Sequence, residues 1–167
     1  ALASGAGLFQ VEAMALMKEL GWVMREDAGR GFRRYVPSPE PREIVECAEI
    51  DRLAKAGVVV IAVGGGGIPV VRENGQLAGT AAVIDKDLAS SLLATMVGAG
   101  LFIVSTAVEQ VFINYHKPSQ AALDRISLAE AQEYLQAGQF PAGSMGPKID
   151  AAVRFLKNGG QRVVITD

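Results

Sequence analysis

Val58-Val59-Val60-Ile61-Ala62-Val63-Gly64-Gly65-Gly66-Gly67-Ile68-Pro69 is the stretch on which the fold turns. Its first six residues are a continuous, mostly β-branched apolar run, the pattern of a parallel strand covered on both faces. Four glycines follow at once. A glycine loop leaving a buried strand lets backbone N–H groups approach an anion, because no side chain stands in the way. A tight strand-to-hairpin turn is the other reading, although four glycines in a row exceed what a turn needs. The loop lacks the Gly-Lys-Ser/Thr ending of a Walker A loop, and it is not a G-x-G-x-x-G loop opening a helix.

Upstream of this run, Ile44 to Ala56 predicts a helix with Ile44, Cys47, Ala48, Ile50 and Leu53 near one side and Gly57 as its stop. Leu8 to Leu20 also reads as helix, with apolar residues too dense to define one face. Trp22 to Glu26 and Phe32 to Val36 are β-like runs around a turn at Asp27 to Gly31, and Pro37, Pro39 and Pro41 impose an extended segment. Residues 22–41 are therefore expected to be a hairpin and a proline-rich segment.

Downstream, Asn74-Gly75 predicts a small hairpin. Asp87 to Val97 predicts a helix, Leu101 to Ser105 a second buried strand, and Phe112 to Tyr115 a weaker one. Ser127-Leu128-Ala129-Glu130 is a capping box opening a helix toward Ala137. Pro147 suits a first helical turn, Gly159 a helix end, and Val163-Val164-Ile165 a last strand. The alternation predicts an α/β fold, a mainly parallel sheet sandwiched by helices, in a single partial domain over residues 1–167. Neither end reads as a natural domain edge, so the chain is expected to be incomplete at both.

The bulk numbers are those of a soluble domain. Of 167 residues half are hydrophobic and a fifth charged, with a net charge of −2. That gives no basic excess for nucleic acid. The longest apolar runs fall far short of the ~20 residues of a membrane span. No secretory signal is visible and a lone cysteine makes no internal disulfide, so a cytoplasmic protein is expected. The single histidine leaves any metal to carboxylates and ligand phosphates.

Two further stretches carry chemistry. Asp85-Lys86-Asp87 precedes a helix; a lysine held between two carboxylates stays charged and oriented, which suits neutralising a phosphoryl group. An ordinary N-cap with Lys86 in solvent fits the same letters. In Gly143-Ser144-Met145-Gly146-Pro147-Lys148 a loop runs into a helix with a lysine in its first turn, where the dipole disfavours a cation. A polyanion bound there would reverse that penalty; a tolerated surface lysine would also fit. Cys47 reads as packing on a helix face, His116 as a surface loop residue, and Trp22 as a core anchor. Arg33-Arg34 reads as one solvent-facing and one buried arginine.

Taken together, these motifs resemble the carbamate kinases of the amino-acid kinase superfamily. The matching stretches are Glu26-Asp27-Ala28-Gly29-Arg30-Gly31-Phe32-Arg33-Arg34 with Val36-Pro37-Ser38-Pro39, then Gly64 to Val70, Ala82 to Ala89, and Gly138-Gln139-Phe140 leading into Gly143 to Lys148. The resemblance runs from about Trp22 to the end. It implies phosphoryl transfer between ATP and carbamate, reversible and ATP-forming in catabolism such as arginine metabolism, by a cytoplasmic homodimer. Carbamate or carbamoyl phosphate and ATP/ADP with Mg²⁺ would be its ligands. It implies Lys86 and Lys148 as phosphate-contacting lysines, with Asp87 orienting them. Gly64, Gly65, Gly66 and Gly67 would supply N–H donors. Thr106, Ala107, Val108 and Tyr115 would border the adenosine, and Ser144, Met145 and Gly146 would line the phosphates. The family's N-terminal strand with its glycine-asparagine loop, its His-Gly-Asn-Gly motif and its Lys-Pro-x-Gly lysine are not found, and Ala1 to Gly7 do not match the last. Ala107 stands where many members have Asp, and His116 replaces a usual glycine.

Overall fold

The computed structural model describes residues 7–27 and 29–167, so Ala28 of the predicted turn and all of Ala1 to Gly7 except Gly7 lie outside the described residues. The described residues group into two compact units. One comprises the residues up to Glu40 with Gly67–Ile84; the other comprises Pro41–Gly66 with Asp85–Asp167.

The first unit opens with helix α1 (Gln10–Leu20), of which only Ala13 is buried. Phe9, Val11, Met14, Met17 and Leu20 are exposed, which is why its apolar pattern defines no single face. Strands β1 (Met24–Glu26) and β2 (Phe32–Arg34) pair antiparallel. Trp22 is half-buried and carries the Arg34 guanidinium 4.2 Å above its ring, while Arg25 stacks on Tyr35 at 4.0 Å. The proline segment is held by Val83 N–H donating to Pro37 O and by Ser38 Oγ donating to Val83 O. Strands β3 (Val70–Glu73) and β4 (Gln76–Gly79) form the second hairpin. Asn74 and Gly75 sit at φ 51° and 82° in its turn, as a two-residue loop of this hand requires.

The β1–β2 turn is fastened by Asp27, which is buried. Its carboxylate accepts from Arg33 Nη1 and Arg30 Nη2, each at 2.9 Å, and its backbone N–H donates to Gly31 O. The Arg33 hydrogen bond first, then that from Arg30, holds this carboxyl below the usual carboxylate range. A carboxyl depressed in the folded state adds stability above its unfolded pKa of about 4, and that stability is lost as pH falls through the lower folded value. Arg33→Ala is therefore expected to lower the urea midpoint at pH 7 and to bring the two proteins together below pH 4. A gap that stays constant from pH 7 to pH 3 would show that Arg33 acts through packing instead.

The second unit holds helix α2 (Cys47–Lys55), which starts three residues later than the predicted Ile44; Ile44, Cys47, Ile50 and Leu53 are half-buried as expected, whereas Ala48, placed on the same side by the periodicity, is exposed. The run after it departs from expectation. Val58–Val63 joins no ladder among the described residues, and Val59 and Ile61 are 91% and 97% exposed. A β-branched run creates a preference for strand, but the ladder and the covered faces come from neighbours, and here no described strand lies beside it.

The core of this unit is built by α3 (Lys86–Met96), β5 (Leu101–Ser105), α5 and β8 (Arg162–Thr166), with α5 spanning Met145–Lys157. Between them come the hairpin β6 (Val111–Ile113) and β7 (Ala121–Leu123) and helix α4 (Leu128–Gln136). β5 and β8 pair in parallel from Leu101 opposite Arg162 to Ser105 opposite Thr166. This is the parallel pair of the described residues; the other three strand pairs are antiparallel. Burial along β5 alternates, with Phe102 and Val104 buried and Ile103 57% exposed, so this strand is covered on one face only. Helix α5 is the centre of the packing. Ala151 and Phe155 join Phe102 and Val104 in one apolar cluster, while Ile149 and Val153 join Val111, Ala131 and Phe140 in another. α3 lies against α5 through small residues, Ala89 and Ala151 both being fully buried, and Ser91 Oγ donates to Ala151 O at 2.8 Å.

Candidate active site

The order of elements places the candidate residues. α3 leads through residues 97–100 into β5, and α5 leads through residues 158–161 into β8. After so short a connection a helix packs back along the strand that follows it, so its N-terminus lies beside that strand's C-terminal end. The lengths agree: 11 helical residues rise about 16 Å and five strand residues about 17 Å. The start of α3, the start of α5 and the chain leaving β5 therefore share one edge. In open α/β sheets, ligands bind outside this carboxyl edge.

At that edge Asp85 is the N-cap of α3, its Oδ1 accepting from the N–H groups of Asp87 at 2.8 Å and Leu88 at 3.1 Å. Its cap leaves Asp87 in the first turn facing α5, where Lys148 is the fourth residue. Lys148 Nζ donates to both Asp87 oxygens, at 3.2 and 3.3 Å. Both side chains are nearly enclosed, about 12% and 10% exposed. Lys86 Nζ lies 3.5 Å from Asp87 Oδ2, on a side chain 58% exposed. The expected arrangement, one lysine between two carboxylates, is thus inverted: one carboxylate stands between two lysines, because Asp85 is spent on the cap. Lys148 is an enclosed, paired cation and Lys86 an exposed one, both at helix N-termini whose dipoles favour an anion.

The approach to α5 is tight. Ser144, the N-cap, and Gly146 both donate their backbone N–H to Pro141 O, at 3.2 and 2.9 Å. A Cβ on Gly146 would stand 3.0 Å from that same oxygen, so glycine here is a matter of space. Its N–H is engaged and contributes no free donor. Met145 is half-buried and packs with Ile149.

Thr106 continues the edge of β5, its N–H donating to Thr166 O at 2.7 Å, and is followed by exposed Ala107 and half-buried Val108. Tyr115 sits further on, in the β6–β7 loop. Gly64, Gly65 and Gly66 belong to this unit, in a turn with Gly64 N–H on Ala62 O and Gly66 N–H on Val63 O, each at 2.7 Å. Val63, at φ 52°, is a β-branched residue in the left-handed region, a strained position at the mouth of the loop. Gly67 belongs to the first unit. The sequence reading missed the clamp in which Gln139 Oε1 accepts from Asn114 N–H; nothing in the letters signals a contact between residues 25 apart. Among the described residues no group of three or more His, Cys, Asp or Glu could hold a metal ion, and no helix is long and apolar enough to cross a membrane.

The α/β framework and its paired helix starts define a class: the chain belongs to the Amino acid kinase family, which it matches over residues 9–167. It is 50% identical over 153 residues to the carbamate kinase of Pyrococcus horikoshii, covering 92% of this chain and 49% of that protein. It is 48% identical over 163 residues to the carbamate kinase-like protein YqeA of Escherichia coli, covering 97% of this chain and 52% of that protein. The structure aligns over 100% of its length with 53% of the carbamate kinase from Giardia lamblia bound to AMP-PNP, with a TM-score of 0.90 and 45% identity. The fold is that of an amino-acid kinase, and the chain spans about half the length of the relatives it matches.

Proposed function

We propose that this chain supplies the nucleotide side of an ATP:carbamate phosphotransferase. The observation that carries the reading is the Lys148–Asp87–Lys86 cluster at the shared edge of α3, α5 and β5. Two cations set at helix starts match a phosphoryl group that gathers negative charge as it moves. In the direction of carbamoyl phosphate synthesis, a carbamate oxygen attacks the γ-phosphorus, the bond to the β-phosphate bridging oxygen breaks, and ADP leaves. Lys148, held by Asp87, would neutralise the transferring group, and the exposed Lys86 would reach the phosphate oxygens. Asp87 orients both lysines; carbamate is nucleophilic already and needs no strong base.

Mg²⁺ enters as part of the nucleotide substrate. Gly64, Gly65 and Gly66 would approach the phosphate and carbamoyl groups with their backbone, Ser144 and Met145 would line the phosphates, and Thr106, Ala107, Val108 and Tyr115 would border the adenosine. The carbamate kinase names and the AMP-PNP complex among the relatives support this reading. A cytoplasmic homodimer is the matching assembly.

The test is ATP formation from ADP and carbamoyl phosphate with Mg²⁺, run on this chain and on a polypeptide extended to the relatives' length. Activity in the extended protein alone supports the assignment and makes this chain a nucleotide-binding part without catalysis of its own. ADP binding without turnover in either would move the reading to another carboxylate or phosphate substrate of the same family.

A further inference from the structure

Resting on the phosphoryl-transfer reading, we infer that Ser91 is a positioning residue, whose hydroxyl pins α3 to α5 in the register that sets Lys148 for transfer. Ser91 is 2% exposed and its Oγ donates to Ala151 O at 2.8 Å. It stands one helical turn after Asp87 on α3, and Ala151 stands one turn after Lys148 on α5. Spacings of four and three residues keep each pair on one side of its helix. The hydroxyl bond therefore lies directly beneath the Asp87–Lys148 pair, at the same contact between the same two helices.

The direction of this bond sets Ser91 apart. A serine inside a helix commonly returns its hydroxyl to the carbonyl four residues back in its own helix. Thr95 does so, donating Oγ1 to Ser91 O at 2.9 Å. The equivalent acceptor for Ser91 is Asp87 O, yet its hydroxyl crosses to the other helix instead. Ala151 O lies in the interior of α5, where the helical ladder already serves it, so that carbonyl does not demand the bond. Nor does the space demand a hydroxyl. Ala89 and Ala151 are fully buried where α3 meets α5, and an alanine at 91 would suit the same close approach.

The charged pair sets this register poorly by itself. Its bonds of 3.2 and 3.3 Å are longer than the ~2.8 Å of a strong ammonium–carboxylate bond, and a flexible lysine stem yields to a sliding helix. Leu88 and Ala94 of α3 pack on the cluster that holds Ala151 and Phe155, which adds cohesion without direction. A serine hydroxyl hangs one bond from Cβ, so its contact survives only while the two backbones keep their setting. That directional link, one turn from the ammonium, fixes where Lys148 meets Asp87.

The experiment is a double-mutant cycle in the length-extended protein, read as ATP formation from ADP and carbamoyl phosphate with Mg²⁺. Ser91→Ala removes the hydroxyl and leaves a better helix former, so the fold is retained, and the urea midpoint checks it. The variant is expected to lower kcat about tenfold with KM for ADP within about twofold, since a group misplaced by about 1 Å can cost about 100-fold in turnover. In the Lys148→Met background the same change is expected to move kcat by less than about twofold, because the residue it positions is gone. A merely structural Ser91 would lower the midpoint in both backgrounds and leave kcat alone. An unchanged kcat for Ser91→Ala, or an equal loss in both backgrounds, would overturn the positioning role and leave the phosphoryl-transfer reading standing. An unsubstituted protein that makes no ATP from carbamoyl phosphate would overturn both.

Discussion

Lys148→Met in the length-extended protein is expected to lower kcat for ATP formation by about 10³-fold. Methionine keeps the apolar stem that packs at the start of α5 and removes the charge alone. The wild-type ammonium is pinned by two hydrogen bonds to Asp87, so in the proposed transfer it would need no reorganisation as charge develops on the phosphoryl group. Water admitted in its place cannot reproduce a fixed cation in a site this enclosed. The same enclosure has a structural consequence. Breaking a buried pair by removing one partner costs about 3–5 kcal/mol, because the other charge is stranded. Here Asp87 keeps Lys86 at 3.5 Å, and the exposed Lys86 side chain can move closer, so the loss is expected at about 2 kcal/mol. Turnover and the urea midpoint measured on the same preparation separate the two effects. A fall in midpoint with kcat within tenfold of wild type would make Lys148 a structural residue.

Local chemistry made much of this fold legible. The capping box at Ser127 forms as read, with Ser127 N–H on Glu130 Oε2 at 2.7 Å and Glu130 N–H on Ser127 Oγ at 3.2 Å. The Asn74-Gly75 turn and the helices carrying Leu88 and Pro147 stand where turn residues and caps put them, while the helix read from Ile44 begins at Cys47. What local chemistry leaves open is whatever depends on a distant partner. Val58–Val63 has a strand's composition and no ladder among the described residues, whereas Ala121–Leu123, with two alanines, is a strand because β6 lies beside it. The site divides the same way. Asp85, Lys86 and Asp87 were visible as a charged helix start, but which carboxylate caps and which binds a lysine depends on α5, 61 residues away.

Asp87→Asn is expected to lower kcat about 100-fold and to destabilise the protein by about 2–3 kcal/mol. Asparagine fills the same space and still accepts a hydrogen bond, so the change isolates the charge. Lys148 then sits nearly enclosed without a counter-ion, and Lys86 loses what holds it near α5. Two roles for Asp87 make opposite predictions in the double variant Asp87→Asn/Lys148→Met. If Asp87 acts by orienting Lys148, the double variant turns over about as slowly as Lys148→Met alone, because the residue it positions is already gone. Its stability also recovers relative to Asp87→Asn, since no stranded charge remains on either helix. If Asp87 instead takes a proton from substrate, the losses in kcat multiply and the acidic limb disappears from the pH–rate profile of the single variant. The geometry favours the first outcome. Both Asp87 oxygens are occupied by lysine, which places this carboxylate as an anchor between two ammonium groups rather than toward a substrate proton.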